Sequence, residues 1–187
     1  MKNNSLLLIL AMAGMLAMPG ANATDLSYKF AELRFVDTEI DDFDGDGFRI
    51  GGSYPLDENW LIVGSFSTLD FDFGIDSSVL EIGAGYVHRY TDKIDLVGDA
   101  RLVRSEVDSN FGDDTDTGFS VSGGIRGRIN QDIEGRAALR HVNLDNSDTF
   151  IEVGGDFYFT PEFSAGLTLE FAGDADTLTI GARWFFD

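Results

Sequence analysis

The sequence predicts an all-β protein: a transmembrane, antiparallel, up-and-down β-barrel of ten strands, with eight strands as the alternative count. Three observations support this fold. Apolar and polar residues alternate along stretches of about ten residues, the length with which a tilted strand crosses a bilayer. The breaks between these stretches belong to two chemical classes that alternate along the chain. Aromatic residues flank both classes, as they do at the two interfaces of a membrane barrel.

The first 23 residues have the pattern of a secretory signal peptide. A short basic start is followed by a mostly apolar run over residues 5–16, which is too short to span a bilayer as a helix. Pro19-Gly20 breaks this run, and Ala21-Asn22-Ala23 supplies a small-x-small cleavage pattern. We therefore expect a signal peptide over residues 1–23 and one barrel domain over residues 24–187.

Period-two alternation identifies the strands. Residues 119–129 place Phe, Val, Gly and Ile on one face, and Ser, Gly and Arg on the other. For two strands the sequence does not decide which residues face inward. The first strand can change its alternation near Phe30, and the third strand is largely apolar on both faces. The predicted strands are residues 26–36, 47–54, 60–69, 78–88, 94–107, 118–129, 133–142, 149–159, 163–172 and 177–186.

The two classes of breaks differ in length and charge. The longer class carries seventeen Asp and Glu residues and no Lys or Arg, which is typical of outer loops rather than periplasmic turns. A secreted β-sandwich, the alternative fold, gives no reason to sort its connections in this way. The short breaks are residues 55–59, 89–93, 130–132 and 160–162. The long breaks are residues 37–47, 70–77, 108–118, 143–148 and 173–176.

Composition excludes several classes of function. A formal net charge of -20 excludes nucleic acid as a partner, because binding it requires a basic surface. The chain has no Cys and only two His, so it holds no disulfide and a zinc site is disfavoured. No nucleophile motif accompanies either His88 or His141, and we expect no enzymatic activity. His141, near Asp145, reads as a residue of the lipid headgroup boundary, with a general base as the alternative.

The end of the chain resembles the C-terminal signal by which outer-membrane barrels are recognised for insertion. The residues that carry this resemblance are Thr179, Gly181, Trp184 and Phe186, although Asp187 follows the last aromatic. The resemblance implies that the chain is exported through the periplasm, handled by the barrel-assembly machinery, and placed in the cell outer membrane among lipid and lipopolysaccharide.

The whole mature chain resembles small outer-membrane barrel families of Gram-negative bacteria, most closely the compact porin-like proteins of xanthomonads and their relatives. Such families include narrow channels, adhesins and barrels with no assigned task. The residues behind the resemblance are Leu26-Ser27-Tyr28, Asp44-Gly45-Asp46-Gly47, Gly52-Ser53, Asn59-Trp60 and Gly64-Ser65-Phe66-Ser67.

If the apolar faces meet lipid, the alternate residues face the lumen. These residues are about half Arg and half acidic, and Arg suits a packed ionic network because it forms planar, bidentate pairs with carboxylates. The predicted lumen network is Glu32, Arg34, Arg49, Glu81, Asp99, Arg101, Arg126, Arg128, Glu134, Arg136, Arg140, Glu152, Asp156, Glu170 and Arg183.

Two functions fit this lumen. The first is a narrow porin-like channel for ions or small polar solutes, with a weak cation preference that arises from the acidic loops. The second is a structural or surface-interaction barrel, adhesin-like, in which salt bridges fill the lumen. Small barrels of around eight strands are filled by side chains, whereas much larger ones leave an aqueous channel. The sequence leaves both open.

The stretch DDFDGDGF, residues 41–48, resembles the start of a calcium-binding loop. Asp42, Asp44 and Asp46 take the first three ligand positions, but the position of the closing Glu is Ser53. The stretch is therefore not an EF-hand, and a hairpin connection is the alternative because Asp-Gly favours turns. We expect no cofactor beyond weakly bound calcium or magnesium at the acidic outer loops.

Overall fold

The computed structural model describes residues 26–40, 43–72, 74–109, 112–173 and 175–186. The predicted signal peptide lies outside these residues. Ten antiparallel strands form one sheet, and β1 pairs with β10 to close it into a barrel. Among the described residues there is no helix long and apolar enough to cross a membrane. The strands are β1 Phe30–Ile40, β2 Phe43–Pro55, β3 Trp60–Phe71, β4 Ile75–Arg89, β5 Ile94–Ser109, β6 Gly112–Arg128, β7 Ile133–Asn143, β8 Ser147–Thr160, β9 Phe163–Ala172 and β10 Ala175–Phe185.

The strands are strongly staggered. A row of paired residues that starts at Asp113 on β6 passes through Asp37 on β1 and returns to β6 at Ile125, twelve residues along. A stagger of this size requires strands tilted by about 35–45° from the barrel axis. Residues paired across the sheet therefore lie at successively different heights around the barrel.

The barrel is apolar on its outer face and charged on its inner face, the opposite of a soluble protein. On the outer face, Leu33, Ile50 and Leu102 are 58%, 59% and 66% exposed. On the inner face, Arg34 and Glu134 are buried. Charged side chains are seldom buried and large apolar ones seldom form a continuous exposed surface, unless that surface lies in lipid. The outer face is thus the lipid-contacting belt of a transmembrane barrel.

The four short turns share one hydrogen-bonding pattern. In each, a side-chain oxygen accepts hydrogen bonds from the backbone N–H groups two and three residues further along the chain. Asp57 Oδ1, for example, accepts from Asn59 and Trp60, both at 2.8 Å. Thr91, Asn130 and Thr160 do the same in the other three turns. The turns predicted at these positions are therefore tightly closed.

The opposite ends of the strands are longer than the sequence predicts. Most of the predicted outer loops are strand: β5 continues to Ser109, and β6 begins at Gly112. Residues 43–46 of the DDFDGDGF stretch, which the sequence places in the first outer loop, are likewise paired with β1, so that placement was wrong. Most aspartates of these extensions lie on the outer face, in water, while the backbone ladder continues. Strand propensity depends on such context.

The two open phases are resolved. In β3, Trp60 and Ile62 face outward, whereas Leu61 and Val63 are buried inside. β1 begins at Phe30 rather than at residue 26, and Phe30 faces inward, where its ring lies 5.7 Å from that of Phe185. Residues 26–29 precede the barrel as an extended segment, which we call the N-terminal segment.

Candidate functional site: the barrel lumen

The lumen encloses a cavity of about 230 Å³. All fifteen residues of the predicted lumen network lie on the inner face of their strands. Twelve of them line this cavity, while Arg128, Glu134 and Asp156 lie inward but outside its lining. Among the described residues, fourteen of the fifteen form salt bridges with one another, and we group them by depth into an inner and an outer network.

The inner network lies towards the short turns. In it, Arg126 and Glu134 form a bidentate pair with distances of 2.5 Å and 2.9 Å, and the Tyr158 hydroxyl donates to Glu134 Oε2 at 2.6 Å. Both partners of the pair are buried. Charge-assisted, bidentate hydrogen bonds of this kind are the strongest in proteins. The network consists of Glu32, Arg34, Arg126, Glu134, Arg136, Asp156 and Arg183.

Two carboxylates hold the rest of the inner network together. Asp156 contacts Arg34 at 3.4 Å and Arg183 at 3.3 Å, and it also accepts from Arg136. Glu32 accepts from Arg34 at 2.9 Å and from Arg183 at 2.8 Å. Since Asp156 is on β8 and Arg34 on β1, this network ties together strands that are not neighbours in the sheet.

The outer network lies further from the short turns. Glu81 accepts from Ser65 at 3.0 Å, from Arg101 at 3.1 Å and from Arg140. Arg140 is on β7 and Glu81 on β4, so their pair crosses the lumen. The remaining contacts join Arg101 to Asp99 at 2.7 Å, Arg140 to Glu152 at 3.9 Å, and Arg49 to Glu170 at 3.1 Å across the β1–β10 junction. Five residues are joined by salt bridges, and the pair Arg49–Glu170 is separate from them at a similar depth; we call all seven the outer network: Arg49, Glu81, Asp99, Arg101, Arg140, Glu152 and Glu170.

The N-terminal segment enters the lumen at the end with the short turns. The Tyr28 hydroxyl donates to Asp95 at 2.9 Å, and the guanidinium of Arg126 lies 4.6 Å from the Tyr28 ring centroid. Arg126 also donates to the Ser27 carbonyl at 2.9 Å. The Tyr28 ring packs against an apolar cluster of inward residues, Leu61, Val63 and Val87. This end of the lumen is narrowed by chain that precedes the barrel.

Sequence reasoning missed Asp95 and Tyr28 as lumen residues. Asp95 is almost fully buried and accepts from Arg89 at 2.8 Å. Asp95 lies next to a predicted turn, which hid its role. Like Asp99 and Arg101, however, it is an odd-numbered residue of β5, and the odd-numbered residues of this strand face the lumen. The alternation of inward and outward residues could therefore have identified it. Arg128, which belongs to neither network, stacks on the Tyr158 ring at 3.7 Å near the same end.

The outer ends of the strands reverse this polarity. Val36 and Val103 face inward and are almost fully buried, whereas most aspartates of these ends occupy the outer face; Asp114, Asp116 and Asp148 have the inward phase. Six aspartates lie in direct cross-strand register, one on each strand from β1 to β6: Asp37, Asp46, Asp70, Asp76, Asp108 and Asp113. We call this set the acidic row. Carboxylates on the outer face are disfavoured in lipid, so the acidic row lies in water beyond the lipid-contacting belt.

The proposed metal ligands lie beside this row. Asp44 and Asp46 are two residues apart on β2 and share its outer face, while Asp42 lies outside the described residues. Within the described ranges, no group of three or more His, Asp or Glu side chains is arranged to hold a metal ion. A site completed by Asp42 stays a prediction.

The proposed assembly signal occupies both faces of β10. Thr179 and Gly181 face inward, and a Cβ at Gly181 would lie 2.2 Å from the Leu33 carbonyl oxygen, so this position requires glycine. Trp184 faces outward and stacks on Phe163 at 6.5 Å. Phe186 follows the strand and lies 5.4 Å from Trp184. Both aromatics therefore contribute to the girdle at the end with the short turns.

The histidines lie away from the lumen. His88 and His141 are on the outward phase of β4 and β7. His141 Nδ1 lies 3.0 Å from Thr149 Oγ1, an exposed cross-strand neighbour. This arrangement fits a residue at the boundary of the lipid headgroups.

Comparisons with known proteins bear on the fold. No family model matches the chain, and no curated protein matches it. An outer membrane channel from Pseudomonas putida F1 superposes with a TM-score of 0.50 at 13% identity, over 90% of this chain and 99% of that one. The NanC porin superposes with a TM-score of 0.49 at 10% identity, over 83% of this chain and 100% of that one. The KdgM porin in complex with disordered oligogalacturonate superposes with a TM-score of 0.49 at 9% identity, over 83% of this chain and 99% of that one.

The protein is an outer-membrane β-barrel. This conclusion rests on the closed ten-stranded sheet, its apolar belt and aromatic girdles, and the shared fold of the Pseudomonas putida F1 channel. It is a small barrel of porin-like architecture, and the alternative count of eight strands is wrong. The closer resemblance to xanthomonad proteins stays a prediction.

Proposed function

We propose that the protein is a narrow channel for ions and small polar solutes. The observation that carries this proposal is the cavity of about 230 Å³, lined by charged side chains of both signs. Rings of charged residues conduct ions when binding is weak enough to allow release. Pairs that cross the lumen, such as Arg140 with Glu81, keep the path narrow, so the expected unit conductance is small.

A weak cation preference accompanies this proposal. The acidic row places six outward carboxylates on six consecutive strands, towards the end of the barrel away from the short turns. A concentration of one sign of charge at a pore mouth raises the local concentration of the opposite ion. The same carboxylates would attract calcium or magnesium diffusely and, through them, anionic lipopolysaccharide.

A second function is favoured by the pairing of the lumen arginines. Each of the seven arginines in the two networks contacts at least one carboxylate. Such pairing can brace a small barrel and fill it, in which case the protein acts through its outer surface as a structural or interaction barrel.

Planar-bilayer conductance of the refolded mature protein tests both functions. Discrete small steps, with a reversal potential that indicates cations in a salt gradient, would support the channel. A silent bilayer would support the filled barrel, provided that heat-modifiable migration on a gel shows that the same sample is folded. Steps with a clear anion preference would refute the cation preference while leaving the channel in place.

A further inference from the structure

We propose that a ring of apolar side chains closes the outer end of the lumen cavity and acts as a hydrophobic gate. This inference rests on the proposed channel function and names a device that regulates it. The ring lies where the inward residues change from charged to uncharged along the strands. Its apolar members are Val36, Val79, Val103, Val142 and Phe150, on β1, β4, β5, β7 and β8.

The stagger of the strands places these residues at one height. Rows of paired residues climb by twelve positions around the barrel, so a level ring moves by two residues along the strand at six of its ten steps. Val36 pairs directly with Gly47, for example. From Val79, in contrast, the ring passes to Val103, two residues from the partner Ser105. The ring holds one inward residue from each strand and no charged one, and its other five members are Gly47, Ser67, Ser120, Ala172 and Thr177.

Charge ends abruptly on the inner side of the ring. Each of its five apolar residues has a charged residue two positions away on the same strand, towards the short turns. These charged neighbours all line the lumen cavity, whereas none of the ten ring residues does. The cavity therefore ends beneath the ring. The neighbours are Arg34, Glu81, Arg101, Arg140 and Glu152.

Part of the ring is closed to water. Val36, Val103 and Ser120 face the lumen, yet they are only 1%, 2% and 1% exposed. Water would reach side chains that face an open aqueous channel, so the ring is dry on the sides of β1, β5 and β6. Val142 and Phe150 are partly exposed, so water that reaches the ring on their side meets apolar groups.

Carboxylates lie on the outer side of the ring. Asp116 and Asp148 are on the inward side of β6 and β8 near their outer ends, and Asp148 is the cross-strand partner of Val142. A cation attracted there must cross the ring without a polar partner, and loss of hydration is costly for a charge. Hydrophobic constrictions gate by dewetting: they block when water leaves them. The ring then sets how often the channel is open, while the salt bridges beneath it set how much current passes.

Single-channel recording of refolded variants tests the gate. Val103→Thr gives the ring a hydroxyl at nearly unchanged size, and a hydroxyl without a hydrogen-bond partner is costly, so the wetted state is favoured. We expect a several-fold higher open probability with little change in unit conductance, and the same from Val36→Thr. Val103→Ala removes bulk without adding polarity and should act less than Val103→Thr. The matched control is Val107→Thr, which makes the same change at an inward residue of β5 four positions beyond the ring and should behave as wild type.

The outcomes separate the gate from the channel, provided that heat-modifiable migration shows each variant to be folded. Equal open probability for wild type, Val103→Thr and Val36→Thr would overturn the gate alone, since the steps themselves support the channel. A larger effect of Val103→Ala than of Val103→Thr would indicate a steric plug and overturn gating by wetting. A silent wild type with a conducting double variant, Val36→Thr with Val103→Thr, would support the gate. Silence of both proteins would overturn the gate and the proposed channel together.

Discussion

Arg140 on β7 and Glu81 on β4 form a salt bridge across the barrel, although two strands separate them along the sheet. Glu81 also binds Arg101 and Ser65, so one carboxylate collects donors from three strands besides its own. This cross-lumen pair obstructs any path through the outer network. An ion that crosses the lumen must pass beside this pair or wait for it to open.

Removing the cross-lumen pair should widen the path. Arg140→Ala deletes the longest side chain of the pair and leaves Glu81 bound to Arg101, so we expect larger conductance steps and a stronger cation preference. Single-channel recording measures both quantities. The control is Arg104→Ala, because Arg104 is 58% exposed on the outer phase of β5 and pairs with Glu106 outside the lumen. Identical steps from wild type and Arg140→Ala would show that ions do not pass this pair.

The bidentate pair of the inner network should matter most for stability. Arg126→Met leaves Glu134 buried with one charge partner fewer, and breaking a buried pair in this way costs about 3–5 kcal/mol. Replacing both partners, as Arg126→Met with Glu134→Leu, should cost less than Arg126→Met alone. Urea unfolding followed by gel mobility measures the difference. A double variant as unstable as the sum of the two single variants would contradict this coupling.

The N-terminal segment should control access to the lumen from the periplasmic end. Tyr28→Ala removes the ring between Asp95 and Arg126, and we expect the lumen beside it to become accessible. The chain has no cysteine, so Ser53→Cys, in the cavity lining, gives a single labelling site. Its reaction with a charged thiol reagent should be several-fold faster in the Tyr28→Ala background.

The matched control for this labelling is Tyr86→Ala. Tyr86 belongs to the aromatic girdle at the end with the short turns, with its ring 5.0 Å from that of Trp60, and it faces away from the lumen. A rate that rises equally in both tyrosine variants would indicate a general loosening of the barrel. A rate unchanged by Tyr28→Ala would mean that the segment does not limit access.

The sequence predicts those features of the barrel that the membrane imposes, and it misses those that depend on the folded structure. Alternation and the requirement for a closed sheet in lipid predict the strand number and the inward phase of the charged residues, because a slip of one residue would put Arg34 or Glu134 into hydrocarbon. The acidic strand ends were missed because Asp-rich stretches usually form turns, and local composition does not reveal a ladder that continues above the membrane.

The pairing within the lumen lies beyond sequence reasoning. Which carboxylate meets which arginine depends on the stagger of the barrel: Arg34 contacts Asp156 and Arg49 contacts Glu170 only because rows of paired residues climb around it. The grouping of the lumen charges by depth follows from that stagger. Tyr28 was read as the beginning of the first strand, since no local pattern distinguishes a strand from a segment folded into the lumen.

The turn at Asp57 should add stability that disappears in acid. The backbone N–H groups of Asn59 and Trp60 donate to its carboxylate and lower its pKa below the ordinary value. A depressed pKa means that the folded state favours the charged form, so this contribution is complete above the unfolded pKa and is lost as the pH falls through the folded one. Asp57→Asn keeps an acceptor oxygen for the turn but cannot titrate. Its stability should therefore change less than that of wild type between neutral and acid pH, as followed by urea unfolding. The same acid dependence in both proteins would show that the Asp57 carboxylate contributes nothing.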